Sequence, residues 1–356
     1  MAIVPGSSLA VVANANVNLD EEEGSLVGVD LSTRSILSET SLPIRNFAGR
    51  VLVDSTRSRI YLPDRGDDAL LVFDYQIPGS NGEPISFVPS SIPRFVDEVA
   101  NGLPTDESPF DAYLAPGTPS GDLLFVTNSR SGSVSVIPSA DFSLLDLDPE
   151  ESDLEGLPLI SAANFKSKDR KPGIGANRIV PTPDGKLLYV TNTQTNQIYV
   201  IDTEDQQVEA MLDLSSLSRI GGSRGMAIAS NQLAYIAHRG LGGVLVLDVS
   251  FIKDNGIDFE VADTRFVDIL VTGRDPEGIA LSTDEKRLFV SNQGDDTVDM
   301  IDLTTRTIAL RIFLNQRTPG ELLLDSARGV IYVLNFLSNS ISVIDENSGA
   351  LIGTIQ

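Results

Sequence analysis

Six charged side chains recur at one place in an internally repeated chain: Arg50, Asp111, Arg178, Arg224, Glu277 and Glu321. The chain repeats an Asn-centred hairpin, and when its copies are aligned Arg50, Asp111, Arg178 and Glu321 share a register position. Gly225 and Gly278 hold that position in two further copies, and Arg224 and Glu277 precede them by one residue. The position is the start of the first strand of each unit, expected to face a central channel. Arg45, Arg94, Lys166, Lys168, Arg170, Lys171, Arg274 and Arg317 lie in loops expected on the same side. Screening over about 8 Å makes this local basic field, and not the net charge, what a ligand there would meet. Two readings follow. One is a pocket for a carboxylate or other small anion. In the other, Arg50 and Arg178 pair with Asp111 and Glu321, since desolvated charges require partners.

Other chemistries find less support. Cysteine is absent, which removes disulfides, thiolate catalysis, iron–sulfur clusters and covalent haem attachment. His238 is the single histidine, so no histidine cluster can hold a metal, and it reads as a variant of the repeated turn Asn. That turn position is held by Asn14, Asp64, Asn128, Asn192, His238, Asn292 and Asn335, side chains suited to bonding local backbone and fixing the turn. Asp20–Glu23, Asp67–Asp68 and Asp295–Asp296 lack the alternating spacing and closing Glu of a calcium loop and read as solvated charge. Gly221–Gly225 is glycine-rich but leads into a strand, without the helix N-terminus that holds a phosphate. No nucleophile elbow, phosphate loop or dinucleotide fingerprint is present, and no metal or cofactor is expected.

The elements that must position these residues are short apolar runs broken by polar turns. Leu187–Asp202 reads LLYVTNTQTNQIYVID, a strand, a turn and a strand. Related sentences begin at Leu124, Leu288 and Ile331, with weaker copies at Leu9, Ile60 and Ala234, seven in all. Units are placed at about 2–43, 44–92, 93–162, 163–217, 218–271, 272–314 and 315–356. A four-stranded antiparallel meander repeated at this period is the signature of a β-propeller blade, so the fold class is an all-β, seven-bladed β-propeller in one domain. Each blade is expected from contiguous sequence, with no strand shared between the chain ends. Insertions at Ile77–Pro84, Asp141–Pro158 and Ser250–Arg265, and between blades at Arg94–Ser108 and Lys166–Gly175, are places where a site could be elaborated. The 356 residues carry a net charge of −24, which disfavours nucleic acid and anionic lipid as partners. No window approaches the eighteen or more apolar residues of a membrane span.

The YVTN of 189–192, its variants LFVSN, LFVTN and IYVLN, the VID that follows, and the lead-ins RDPEGIALSTDEKR and PTPDGK resemble the YVTN family of seven-bladed propellers. The resemblance covers essentially the whole chain. It implies an extracytoplasmic protein, periplasmic or at the cell surface, acting as a non-catalytic binding or interaction scaffold for a protein partner or a small anion. The alternative is a propeller hydrolase such as a lactonase, or a quinoprotein-dehydrogenase-like subunit. The N-terminus lacks the features of a signal peptide and already falls in the first strand of a unit, so a leader is expected to have been removed.

Overall fold

A computed structural model of the chain describes residues 1–14, 23–45, 48–77, 85–90, 102–140, 142, 157–158, 175–218, 222–252, 260–262 and 265–356. These residues form seven antiparallel sheets, the blades of a seven-bladed β-propeller, and two compact units, Met1–Ile160 and Ser161–Gln356. The first unit holds blade 1 (Ala2–Ile3, Leu9–Asn14, Glu23–Asp30, Ser35–Arg45), blade 2 (Leu52–Asp54, Arg59–Asp64, Ala69–Gln76, Ser86–Pro89) and blade 3 (Pro109–Thr118, Gly121–Asn128, Ser133–Pro138, Leu157–Pro158). The second holds blade 4 (Ala176–Pro181, Leu187–Asn192, Gln197–Asp202, Val208–Asp213) and blade 5 (Ser223–Ile228, Leu233–His238, Gly243–Asp248, Phe266–Val271). Blade 6 (Pro276–Leu281, Arg287–Asn292, Thr297–Asp302, Thr307–Phe313) and blade 7 (Pro319–Asp325, Val330–Asn335, Ser340–Asp345, Leu351–Ile355) complete it. Among the described residues there is no α-helix, only two single 3-10 turns, Arg239–Leu241 and Phe336–Ser338. Among the described residues no helix is long and apolar enough to cross a membrane.

The second and third strands of each blade are covered on both faces, which is why they read as continuous apolar runs. Leu187–Asn192 is buried at all six positions. Tyr61, Phe125, Tyr189, Phe289 and Tyr332, the aromatic residues of the repeated hairpin, are among the largest fully buried side chains. Neighbouring blades share separate apolar clusters. Tyr189, Ile198, Ile236 and Leu245 belong to one between blades 4 and 5. Val244, Leu270, Leu288 and Val290 belong to the next, between blades 5 and 6. Each repeat therefore stabilises its neighbours and not a single common core.

Two expectations about contiguity are met differently. Ala2–Ile3 pairs with Leu9–Asn14 and Leu351–Ile355 with Ser340–Asp345, so the first and last strands stand in different sheets. Three insertions, however, do build sheet, the end of Asp141–Pro158 supplying blade 3's fourth strand, Leu157–Pro158. Glu260–Ala262, from the blade 5 insertion, adds a parallel fifth strand to blade 4 alongside Val208–Asp213. Gly102–Pro104, from the link after blade 2, pairs with Ala69–Leu71, beside the stretch that Ser86–Pro89 covers. The physical reason is that Val208–Asp213 is an outer edge and Ala69–Leu71 lies beyond the stretch that Ser86–Pro89 covers, and in each case a nearby extended segment satisfies the open backbone groups.

The turns are set by side-chain oxygens. The Asp that ends the third strand caps the turn that follows: Asp202 Oδ1 accepts from the backbone N–H groups of Glu204 and Asp205, Asp302 Oδ1 from Thr304 and Thr305, and Asp345 Oδ1 from Asn347 and Ser348. Asp30 does the same with Ser32, and the Ser32 hydroxyl, the largest contribution, helps hold its carboxyl down at about 2. The turn-Asn expectation holds for Asn192, whose Oδ1 accepts from Gln194 and Thr195 at 2.9 Å, and for Asp64, which accepts from Gly66. It is corrected for Asn128, Asn292 and Asn335, whose amides donate to hydroxyls of the third strand, at Ser133 and Ser135, Thr297, and Ser340 and Ser342. The acidic pairs are also corrected. Asp68 accepts from Ser108 of the link to blade 3 and Asp296 from Thr318 of the link to blade 7, so these two carboxylates fasten blades together, while Asp295 binds Arg274 within the sixth unit. Asp20, Glu21 and Glu22 lie outside the described residues.

A group held below its unfolded value stabilises the fold above that value and loses this contribution as the pH falls through the folded one. The carboxyls of Asp30, Asp248, Asp302 and Asp345 are all lowered, each by the hydroxyl and backbone donors of its turn. For Asp30 the window runs from the ordinary aspartate value of about 4 down to about 2. Asp30→Asn is therefore expected to lower Tm by a constant amount above pH 5, with the gap to wild type closing as pH falls through that window, read by thermal melts across pH.

Candidate functional site

The first strand of each blade from 4 to 7 carries the same irregularity. Ala176 pairs with Asn192 and Ile179 with Val190, so Asn177 and Arg178 stand opposite Thr191 alone. In the same way Arg224 and Gly225 oppose Ala237, Glu277 and Gly278 oppose Ser291, and Gly320 and Glu321 oppose Leu334. Two residues against one is a β-bulge, which bends the strand and re-aims its side chains. The bulge is held by a hydroxyl: Thr191 Oγ1 accepts from Arg178 N–H and donates to the Arg224 carbonyl of blade 5, both at 3.2 Å. Ser291 Oγ accepts from Gly278 N–H at 2.8 Å and donates to the Gly320 carbonyl of blade 7 at 2.6 Å. In blade 3, Thr127 Oγ1 accepts from Asp111 N–H at 3.1 Å.

Close approach of the first strands explains the glycines. A Cβ on Gly225 would stand 2.6 Å from the Glu277 carbonyl oxygen, and one on Gly278 would overlap the Gly320 carbonyl. Blades 5 and 6 thus cannot carry a side chain at the second bulge position and present Arg224 and Glu277 from the first.

In the second unit the bulges bring four of the expected residues into one cluster. Arg178 Nη1 lies 3.9 Å from Glu321 Oε1, and Arg224 Nε 3.7 Å from Glu277 Oε2. Arg239, from the 3-10 turn after blade 5's second strand, donates to Glu277 Oε2 at 2.6 Å and to the Gln293 side chain. Burial lowers the Arg224 pKa, and the charges of Arg239 and Arg178 push the same way, against the attraction of Glu277. Three guanidinium groups therefore share two carboxylates. Arg224 Nε and Arg239 Nε are both buried, and among the described residues neither has a hydrogen-bond acceptor. In the first unit Arg50 Nη1 lies 3.7 Å from Asp111, whose side chain is buried, and Arg50 N–H donates to the Phe110 carbonyl of blade 3.

Arg239 and Gln293 are not among the charged positions expected from the first strands. Both stand one residue beyond the repeated turn position, after His238 and Asn292, and that offset is the signal that marks them. Thr191 and Ser291 belong to the YVTN and LFVSN stretches, whose repetition marks the strand and not the hydroxyl's role. Of the basic loop residues, Arg274 is exposed and paired with Asp295. Arg94, Lys166, Lys168, Arg170 and Lys171 lie outside the described residues. Among the described residues no group of three or more His, Asp or Glu side chains is placed to hold a metal. A cavity of about 240 Å³ between blades 5 and 6, lined by Leu233, Tyr235, Val246, Leu270, Leu303 and Arg306 among others, opens at the opposite ends of these strands. The charged cluster lies elsewhere.

The family model described as "Lactonase, 7-bladed beta-propeller" matches residues 114–354. No protein of curated function matches the sequence. Among solved structures, one from Lactobacillus plantarum is similar at a TM-score of 0.65 and 17% identity, over 97% of this chain and 95% of that one. A candidate 6-phosphogluconolactonase from Bacteroides fragilis is similar at 0.60 and 16%, over 97% and 93%. Another from Bacteroides uniformis gives 0.60 and 17%, over 96% and 94%. Identities this low show the shared fold alone. The family match corrects the expectation of a non-catalytic scaffold, because the family is one of lactonases. The physical reason for the error is that the repeated hairpin reports turn capping and bulge geometry, which a propeller needs whatever its function.

Thr191→Val keeps shape and removes the hydroxyl under Arg178. Leaving that N–H without its acceptor is expected to cost about 1–3 kcal/mol, measured by denaturant unfolding, whereas Thr193→Val in the same turn should change stability less.

Proposed function

Because the chain belongs to the lactonase family of seven-bladed β-propellers, whose model spans residues 114–354, we propose that it hydrolyses a lactone at the cluster of blades 4 to 7. The observation that carries this reading is the cluster itself, in which the part-exposed guanidinium groups of Arg224 and Arg239 converge on Glu277 beside the Arg178–Glu321 pair. Donors held in place before the reaction suit the oxygen on which negative charge develops when a carbonyl is attacked.

Ester cleavage needs a base for water and a stabiliser for the oxyanion. Glu277 already accepts from Arg239 and lies against Arg224, so its role is to anchor the two guanidinium groups. Glu321, the other carboxylate of the cluster, lies 3.9 Å from Arg178 and takes the role of general base. It removes a proton from water as the oxygen attacks the lactone carbonyl, and Arg224 and Arg239 hold the resulting oxyanion. Collapse breaks the ring C–O bond, and the proton on Glu321 passes to the leaving alkoxide, giving a hydroxy acid. Three arginines against two glutamates leave one excess positive charge, which favours a lactone bearing a carboxylate or phosphate substituent. The hydrolase reading takes over Arg178, Arg224, Glu277 and Glu321 from the anion-pocket reading, leaves out Arg50 and Asp111, and adds Arg239.

A panel of neutral, carboxylated and phosphorylated sugar lactones, followed by base uptake at constant pH, tests this. Turnover is expected to be fastest with an anionic lactone and to weaken with salt. Glu321→Gln should lower kcat by roughly 10²–10⁴ with little change in KM, and Arg224→Gln by about 10²–10³. Hydrolysis no faster than in buffer across the panel, or a fully active Glu321→Gln protein, would overturn the assignment.

A further inference from the structure

Blade 5 differs from the other blades of its kind at two facing positions. Ser223 pairs across the strands with His238, where the corresponding pairs are Pro109 with Asn128, Ala176 with Asn192, Pro276 with Asn292 and Pro319 with Asn335. The hydroxyls that receive the amide of Asn128 or Asn335 on the third strand are replaced in blade 5 by Gly243 and Leu245. A hydroxyl thus leaves the third strand and one appears on the first, opposite the only imidazole.

Ser223 and His238 are both fully buried, and Ser223 Oγ and His238 Nε2 are both without a hydrogen-bond partner among the described residues. Two such orphans on directly paired residues of one sheet call for each other, since each alone would forfeit the desolvation cost of a buried polar group. His238 Nδ1 accepts from Leu241 N–H at 3.2 Å, so in the neutral ring Nε2 carries the proton. Burial lowers the imidazole pKa, which keeps the ring neutral. With its proton on Nε2, His238 cannot take a proton from Ser223. A nucleophilic serine is thereby excluded, and Nε2–H is the donor.

The same two segments carry the arginines of the cluster. Arg224 follows Ser223, Arg239 follows His238, and Arg239 N–H donates to the Gly222 carbonyl at 3.1 Å. A Cβ on Gly222 would stand 3.3 Å from both Arg239 Cβ and Gly240 N, so the two segments are in contact. We infer that Ser223 and His238 form a polar pair, with Nε2–H donating to Ser223 Oγ directly or through one bound water, and that the pair positions Arg224 and Arg239. They are positioning residues and touch no substrate. Their effect on turnover rests on the lactonase reading, whereas the pair itself does not.

Because the chain has one histidine, ¹⁵N-histidine labelling gives one pair of ring nitrogens to follow by NMR. The expected result is an unprotonated Nδ1 and a slowly exchanging Nε2–H, with exchange accelerated in Ser223→Ala. Thermal melts confirm that this variant stays folded. In the enzyme assay Ser223→Ala is expected to lower kcat/KM roughly tenfold or more, as displaced reacting groups do. His238→Asn, which restores the side chain of the other blades and can keep the cap to Leu241 N–H, should retain more activity than His238→Ala. A proton on Nδ1, or an Nε2–H signal unmoved in Ser223→Ala, would overturn the pair. If the NMR results are as stated and wild type hydrolyses no lactone, the lactonase reading fails and the pair stands.

Discussion

An antiparallel ladder that gains one residue on one strand leaves a backbone N–H without its cross-strand acceptor, and inside a protein that N–H must find another oxygen. In blades 4 and 6 the oxygen is a hydroxyl, Thr191 or Ser291, on the residue directly opposite the bulge. The same hydroxyl donates to a carbonyl of the next blade, so one side chain fixes both the bulge and the spacing between first strands. The charged cluster depends on this arrangement. With regular pairing, Arg178 and Glu321 would take the ordinary alternation of a strand, and the bulge is what re-aims them toward each other.

That constraint also sorts which residues can carry charge. Where first strands approach most closely the second bulge position must be Gly225 or Gly278, and the charge moves back one residue to Arg224 or Glu277. Where there is room, the second position carries Arg178 or Glu321. The result is a cluster in which guanidinium groups outnumber carboxylates by three to two. It forms in a chain whose overall charge is strongly negative, because local geometry and not composition decides the field at the site.

Much of this was legible in the sequence, for a definite reason. The hairpin repeats seven times, so its buried aromatic, its turn Asn or Asp and its closing Asp each announce a position in a blade, and alignment alone located five of the six charged positions on bulged strands. The sixth, Arg50, lies just ahead of the Leu52–Asp54 strand and reaches blade 3 through its backbone. Arg239 and Gln293 escaped because they follow the turn Asn or His instead of leading a strand. The strands Glu260–Ala262 and Gly102–Pro104 escaped because a short segment pairing with a free edge needs no pattern of its own. Function was the least legible, since the repeated residues serve the fold and the residues that differ between blades carry the chemistry. Blade 5 illustrates this, with Ser223, Arg224 and His238 all departing from their counterparts.

The most direct measurement is a crystal structure with a phosphonate analogue of the tetrahedral intermediate of lactone hydrolysis. The account predicts that a phosphonate oxygen sits within hydrogen-bond distance of the Arg224 and Arg239 guanidinium groups, with Glu321 on the side from which water attacks. An analogue bound instead in the cavity lined by Leu233 and Tyr235, with both guanidinium groups untouched, would contradict it.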